Sequence, residues 1–352
     1  DSSFLDGLLV MMSFPLALVL ILVHACPFYT LSYTVRIGSR PSTLALIQAE
    51  SIAKALRVSG VSTEIIQIAS SGEVRGHSRQ DAPLPLSPPD FVGAIDDAVV
   101  SGTVDIGVHS LKDIPPECRW AASGRLLIGC HLPRADPSDV LVGGFKSISD
   151  LPREARVGSA SMRRQAQILH LRPDIDCVNL RGNVQARLDA LEAGEVDALI
   201  LARAGLDRLG LNIGPGGKIN GTLLPAEEML PGCCQGIIAA VCRSDDKETL
   251  GHLRMIDDRN ARVAAEAERA VLNTVDRSTP WEGRPPTAAF VSQVGNEAAE
   301  WKLDALLARP DGSKVVRSSV LLPSECKPEV AQEEGQKLGE RLLQMAGPNF
   351  FR

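Results

Sequence analysis

The stretch "TVRIGSRPSTLALIQAESIAKALRV", residues 34–58, decides how the chain is read. "TVRIGS" has the alternation of a short strand, and "STLALIQAESIAKALRV" carries apolar residues at helical spacing. The same unit recurs. "STEIIQIAS" predicts a strand, "DFVGAIDDAVVSG" a helix and "VDIGVHS" a strand. After Pro133 the alternation restarts with strands "SDVLVGG" and "ARVGSAS" and helix "MRRQAQILHL". It continues with strand "DIDCVNLRG", helix "NVQARLDALEAGE" and strand "VDALILA". Such alternation predicts an α/β fold with mostly parallel sheets, and two runs of it predict two similar lobes. No internal repeat or low-complexity tract is visible.

From Asp258 the pattern changes. "DRNARVAAEAERAVLNTV" predicts a long helix. Strands "TAAFVSQV", "EWKLDALLA" and "KVVRSSVLL" follow, with the turn "RPDGS" and a closing helix "PEVAQEEGQKLGERLLQMA". This reads as a small α+β domain. The Pro-rich "DAPLPLSPP", residues 81–89, reads as a mobile loop.

The chain has 352 residues, 44% of them apolar and 23% charged, which is ordinary for a soluble protein with two or three cores. A net charge of −6 offers no basic field for nucleic acid. Eight cysteines form no C-x-x-C pair and sit at no metal spacing, so they read as reduced core residues and no metal is expected. The apolar run from Gly7 to Cys26 has the character of a targeting h-region or a single membrane span, and a targeting leader over residues 1–33 is the expectation.

Three strand-to-helix loops carry arginines. "RIGSRPSTLAL" holds Arg40 and Ser42; "VGSASMRRQ" holds Ser159, Ser161, Arg163 and Arg164; "NLRGNVQARL" holds Arg181 and Arg187. Helix N-termini favour anions, and arginine adds a bidentate fork for carboxylate or phosphate. One such loop is as well explained by surface ion pairs. Three in successive units point to a ligand with several negative charges at the strand ends. No Walker-type phosphate loop occurs. "DIGVHSLKDIPP" ends a strand with His109, Ser110, Lys112 and Asp113, a candidate catalytic cluster. Asp113 suits general acid–base work or stabilisation of a cation. Lys112 suits anion binding or a Schiff base. A Lys–Asp surface pair and a satisfied core histidine are the plain alternatives.

Taken in order, "RIGSRPSTLALIQA", "VDIGVHSLKDIP", "VGSASMRRQAQIL", "LRGNVQARL", "LILARAGLDRLGL", "MLPGCCQGIIAAVCR", "EAERAVL" and "AGPNFF" resemble the porphobilinogen deaminase (hydroxymethylbilane synthase) family of plant and algal type. The resemblance runs from about Thr34 to the C-terminus. It implies two periplasmic-binding-protein-like, doubly wound lobes, 34–131 with 232–247 and 134–228, plus a C-terminal domain over 250–352. It implies head-to-tail condensation of four porphobilinogen molecules into hydroxymethylbilane with loss of ammonia, in a plastid (with the cytoplasm as alternative), by a monomer whose mature domain meets neither nucleic acid nor membrane. It gives Asp113 the catalytic carboxylate's place, with Lys112 beside it. Ser42, Lys112, Asp113, Ser161, Arg163, Arg164, Arg181 and Arg187 fall at positions that hold a dipyrromethane cofactor. Arg40, Arg181, Arg187 and Arg208 fall at substrate positions.

The chain also departs from the family. Where the family has D-G-S-C-x-T-P-I, with the cysteine that holds dipyrromethane by a thioether, residues 275–290 read "VDRSTPWEGRPPTAAF". Thr279 or Gly283 takes the cysteine's place, and neither has a thiol. The family's lid G-G-K-G-L-F-x-K-E is "LSPPDFVGA" here, keeping only Phe91. Pro41 and Thr43 depart in the first loop. A protein that binds pyrrole carboxylates without turnover is therefore the second expectation.

Overall fold

The computed structural model describes residues 33–69, 92–116, 123–214, 217–279, 284–294 and 300–351. The apolar run 7–26, the loop 81–89 with Phe91, Cys26, Cys118 and Gly283 lie outside the described residues. Val35–Arg352 is one compact unit.

The opening stretch folds as read. Strand β1 (Thr34–Ser39) buries Val35 and Ile37, and helix α1 (Thr43–Val58) buries Ala45, Gln48, Ala49, Ile52, Ala53 and Leu56 along one face. β2 (Ser62–Gln67), α2 (Gly93–Val100), β3 (Ile106–Ser110) and β4 (Leu126–His131) follow. The second run is β5 (Asp139–Val142), β6 (Arg156–Gly158), α3 (Met162–Leu171), β7 (Asp176–Val178), α4 (Val184–Glu192), β8 (Ala198–Ala202), α5 (Arg203–Arg208) and β9 (Gly221–Leu224). Then β10 (Ile238–Arg243) and α6 (Lys247–Met255) precede the long α7 (Arg259–Ser278). β11 (Thr287–Val294), β12 (Glu300–Ala308), β13 (Val315–Leu322) and α8 (Pro328–Ala346) close the chain.

Among the described residues three sheets form, ordered β2-β1-β3-β10-β4, β7-β6-β8-β5-β9 and β11-β12-β13. The first two share one topology. In each, parallel strands form one side (β1 with β3, and β6 with β7 and β8), and an antiparallel strand, β10 or β5, joins the next position. β10 comes after the second sheet in sequence yet pairs within the first, so the chain crosses between the lobes twice. These are two sheet–helix lobes of one topology, followed by an antiparallel meander with helices.

The likeness of the lobes corrects the reading that the chain holds no repeat. Arg36 in β1 binds Asp105 before β3 through its backbone N (2.8 Å to Oδ2) and its guanidinium (Nη2–Oδ1 2.7 Å). Arg156 in β6 binds Asp197 before β8 in the same way, at 2.7 and 2.8 Å. "VRIGS" with "VDIG" and "ARVGS" with "VDAL" are the two copies. Only a few residues of each are alike, which is too little to show as a sequence period.

In the C-terminal part, α7 and α8 lie close together because α8 carries glycine at the contact. A Cβ at Gly335 would stand 2.2 Å from the Ala267 carbonyl oxygen. The core there joins Val263, Val271 and Val275 of α7 to Leu303 and Leu307 of β12 and Leu338 and Leu342 of α8.

Candidate active site

β3 ends in a tight 3-10 turn, Leu111–Asp113. Leu111 is fully buried and its backbone N donates to Ile237 O at 3.0 Å, so the turn is nailed to the sheet while Lys112 and Asp113 stand exposed. His109, just before the turn, lines the same small pocket as Asp113. It is buried, with Nε2 at 3.2 Å from Asp96 Oδ1, and is the satisfied core histidine of the plain alternative. Ser110 Oγ accepts from Gln48 Nε2 at 2.7 Å. Arg40, from the loop after β1, lines one small pocket with Ser110 and Asp113.

The second lobe places its arginines unequally. Arg163 and Arg164 open α3 after Ser161, and both turn onto Asp139 of β5, at 2.8 Å and 2.6 Å. Arg163 Nη1 also donates to Leu230 O at 2.7 Å, and Arg164 Nη1 to Ile200 O at 2.8 Å. Burial alone would raise the Asp139 carboxyl, but the two guanidinia outweigh it and hold it well below the usual range. This differs from the expected open anion loop: the two forks are spent inside the protein. Ser159 Oγ is used in the same turn, accepting from Ser161 N at 3.2 Å, and Ser161 makes no side-chain capping bond.

Arg181 and Arg187 are different. Both are half-buried. Arg187 spends only Nε, on Gly182 O at 2.9 Å, and its terminal nitrogens have no hydrogen-bond partner among the described residues. Burial and the nearby Arg164 pull Arg187 down to about 10, the mark of a cation lacking a counter-charge. Arg181 has no ion-pair or hydrogen-bond partner among the described residues. Arg208 gives Nη2 to Gly236 O at 2.7 Å.

Two residues that the sequence reading passed over join the lobes: Asp139, and Gln235 from the segment that crosses back. Lys112 Nζ donates to Gln235 Oε1 at 3.3 Å, and Gln235 Nε2 donates to Asp139 Oδ1 at 2.8 Å. The available signal was a lone carboxylate and a lone amide inside the apolar runs "SDVLVGG" and "GCCQGIIAAVC", since buried polar groups need partners.

At the end of α7, Thr279 spends its hydroxyl on Val275 O at 3.0 Å, closing the helix. Among the described cysteines, burial raises every thiol: Cys233 and Cys177 to about 12, Cys242 to about 11, and Cys130, Cys234 and Cys326 upward as well. None is a thiolate at neutral pH.

The comparisons with known proteins decide the family. The model of "Porphobilinogen deaminase, dipyromethane cofactor binding domain" matches residues 35–251. The porphobilinogen deaminase of Sphingopyxis alaskensis is 38% identical over 331 residues, covering 90% of this chain and 95% of that protein. The chloroplastic porphobilinogen deaminase of Oryza sativa subsp. japonica is 36% identical over 326 residues, 90% of this chain and 85% of that protein.

The chain belongs to the porphobilinogen deaminase family.

Among solved structures, the methionine binding protein MetQ is similar with a TM-score of 0.40 at 13% identity, over 66% of this chain and 94% of that one, too remote to bear on the site. Family membership implies tetrapyrrole biosynthesis by condensation of porphobilinogen, a transferase reaction, with dipyrromethane as the cofactor of the matched domain. The residues described here fit that cofactor's carboxylates at Arg181 and Arg187. They do not fit its thioether, because Thr279 offers a hydroxyl already engaged and the buried thiols stay protonated.

Proposed function

We propose that this chain condenses four porphobilinogen molecules into hydroxymethylbilane with release of ammonia. Arg181, Arg187, Arg208 and Arg40 would take the acetate and propionate groups, with Ser42, Ser161 and Lys112 at the same cleft. Arg163 and Arg164 would serve it indirectly, as the buried base of the site. Asp113 is exposed beside Arg40 and Ser110, where a carboxylate stabilises the cation left when the amine departs. The observation that carries this reading is Arg187, a half-buried guanidinium with open donors and a depressed pKa that a ligand carboxylate would restore. The working division is 34–131 with 232–247, 134–228 and 250–352, acting as a monomer on a small-molecule substrate. No described helix is long and apolar enough to cross a membrane. The chloroplastic relative from Oryza sativa subsp. japonica supports a plastid as the site of action.

The engaged Thr279 hydroxyl favours one second reading, a relative that holds acidic pyrroles without turnover. One experiment separates the two. Purified chain is incubated with porphobilinogen, and ammonia release and intact mass are followed. Turnover that Asp113→Asn abolishes, with porphobilinogen binding retained, supports the enzyme. Binding without ammonia and without added mass supports the second reading, and Thr279→Cys should then gain a covalent pyrrole adduct. No binding of porphobilinogen at all refutes both.

A further inference from the structure

One amide ties the two lobes together beside Asp113. Gln235 is 1% exposed and its side chain is fully engaged. Oε1 accepts from Lys112 Nζ at 3.3 Å, while Nε2 donates to Pro137 O at 2.7 Å and Asp139 Oδ1 at 2.8 Å. Its partners settle which way the amide faces. An ammonium only donates and a carboxylate only accepts, so a flipped amide would lose every bond. The backbone is pinned as firmly: Gln235 O accepts from Arg134 Nε at 2.8 Å. The next residue, Gly236, has φ +92, and a Cβ there would stand 2.4 Å from Ala135 O, so only glycine lets the chain turn at this point.

We propose that Gln235 is a positioning residue: fixed on Asp139 of the second lobe, it holds the Lys112 ammonium of the first lobe between the lobes, aimed at a carboxylate of the bound pyrrole. The inference rests on the reading that the site binds porphobilinogen. The charged groups around Lys112 are Asp113 on its own turn, Asp139 from β5, and Arg163 and Arg164 from α3. Asp139 is committed to the two guanidinia, so Lys112 meets it only through the neutral amide. An ammonium held this way keeps its charge for an incoming anion instead of spending it on an internal ion pair. Crowding by protein and the charge of Arg164 pull Lys112 down to about 8, while its exposure to solvent moderates that pull.

The test uses the full chain with Gln235→Glu and Gln235→Met. The Lys112 titration midpoint is read from pH-dependent reductive methylation and peptide mass spectrometry, which needs no turnover. Porphobilinogen binding is measured by calorimetry between pH 6 and 9. A carboxylate at 235 would pair Lys112 directly, so its midpoint should rise by roughly one to three units. Methionine removes the acceptor, so the midpoint should fall and porphobilinogen binding at pH 7 should weaken about tenfold, the share of one charge-assisted hydrogen bond. Midpoints equal to wild type in folded variants overturn the proposal. If either variant does not fold, the other decides alone. Shifted midpoints in a chain that never binds porphobilinogen sink the functional reading but leave Gln235's hold on Lys112 established.

Discussion

Arg163 and Arg187 look alike in the sequence, each an arginine in a strand-to-helix unit of the second lobe. The structure gives them opposite work. Arg163 is buried against Asp139 and Leu230 O, whereas Arg187 keeps its terminal nitrogens open. Replacing Arg187 by alanine should weaken porphobilinogen binding by about 1.5–3 kcal/mol with little change in folding, since one charge-assisted contact is lost. Replacing Arg163 by alanine strips Asp139 of one of its two guanidinia and should destabilise the fold by about 3–5 kcal/mol. Calorimetry and urea unfolding on both variants check the pair. An Arg163→Ala protein of normal stability that has lost pyrrole binding would reverse the assignment. The residue types were legible in the sequence, but their division of labour was not, because Asp139 lies 24 and 25 residues away from its two partners.

Helix α7 was legible from its apolar stripe and from Asp258, whose side chain caps it by accepting from Ala261 N. Its far end holds a group at odds with its place. Asp276 lies in the last turn, where the helix dipole disfavours a carboxylate, and one oxygen, Oδ1, has no hydrogen-bond partner among the described residues. Burial pushes it up to about 6 against the pull of Arg284, whose Nε stands 3.1 Å from Oδ2. A carboxyl whose pKa is higher folded than unfolded adds stability below about pH 4 and loses it as pH rises to about 6. Asp276→Asn should therefore stabilise the protein at pH 7 by up to about 2 kcal/mol, at 1.36 kcal/mol per unit less the weakened ion pair. The gain should vanish towards pH 4. Thermal melts at both pH values decide; a gain independent of pH would mean that the charge is not the cause. Strands β4, β9 and β10 and helices α5 and α6 went unread at this scale. β10 lies in an apolar run with no alternation, because it sits centrally in the sheet and is buried on both faces.

At the scale of the molecule, one carboxylate binds the parts. Glu268 of α7 is fully buried and receives both Nη atoms of Arg134, Cys234 N at 2.6 Å and Val291 N at 2.8 Å. It thus joins the lobe-crossing segments to the C-terminal sheet. Glu268→Ala would leave Arg134 and two backbone donors without a partner. It should cost about 3–5 kcal/mol and split unfolding into two calorimetric transitions, one for the C-terminal part. A single sharp transition at an unchanged temperature would show that apolar packing alone joins the parts.

The sequence by itself determined the alternating elements, the α+β ending, the arginine loops, the strand-end Lys112–Asp113 pair and the absence of cysteine from residues 275–290. These are properties of neighbouring residues, and periodicity and motif spacing report them directly. Only the tertiary structure decided that the two lobes repeat the Arg–Asp pairing of Arg36–Asp105 and Arg156–Asp197. It alone separated the arginines held by Asp139 from those left open, and placed Gln235 between Lys112 and the second lobe. These depend on which buried charge meets which partner across the fold, and the strength of such a pairing is set by distance and burial in space, which sequence separation does not report.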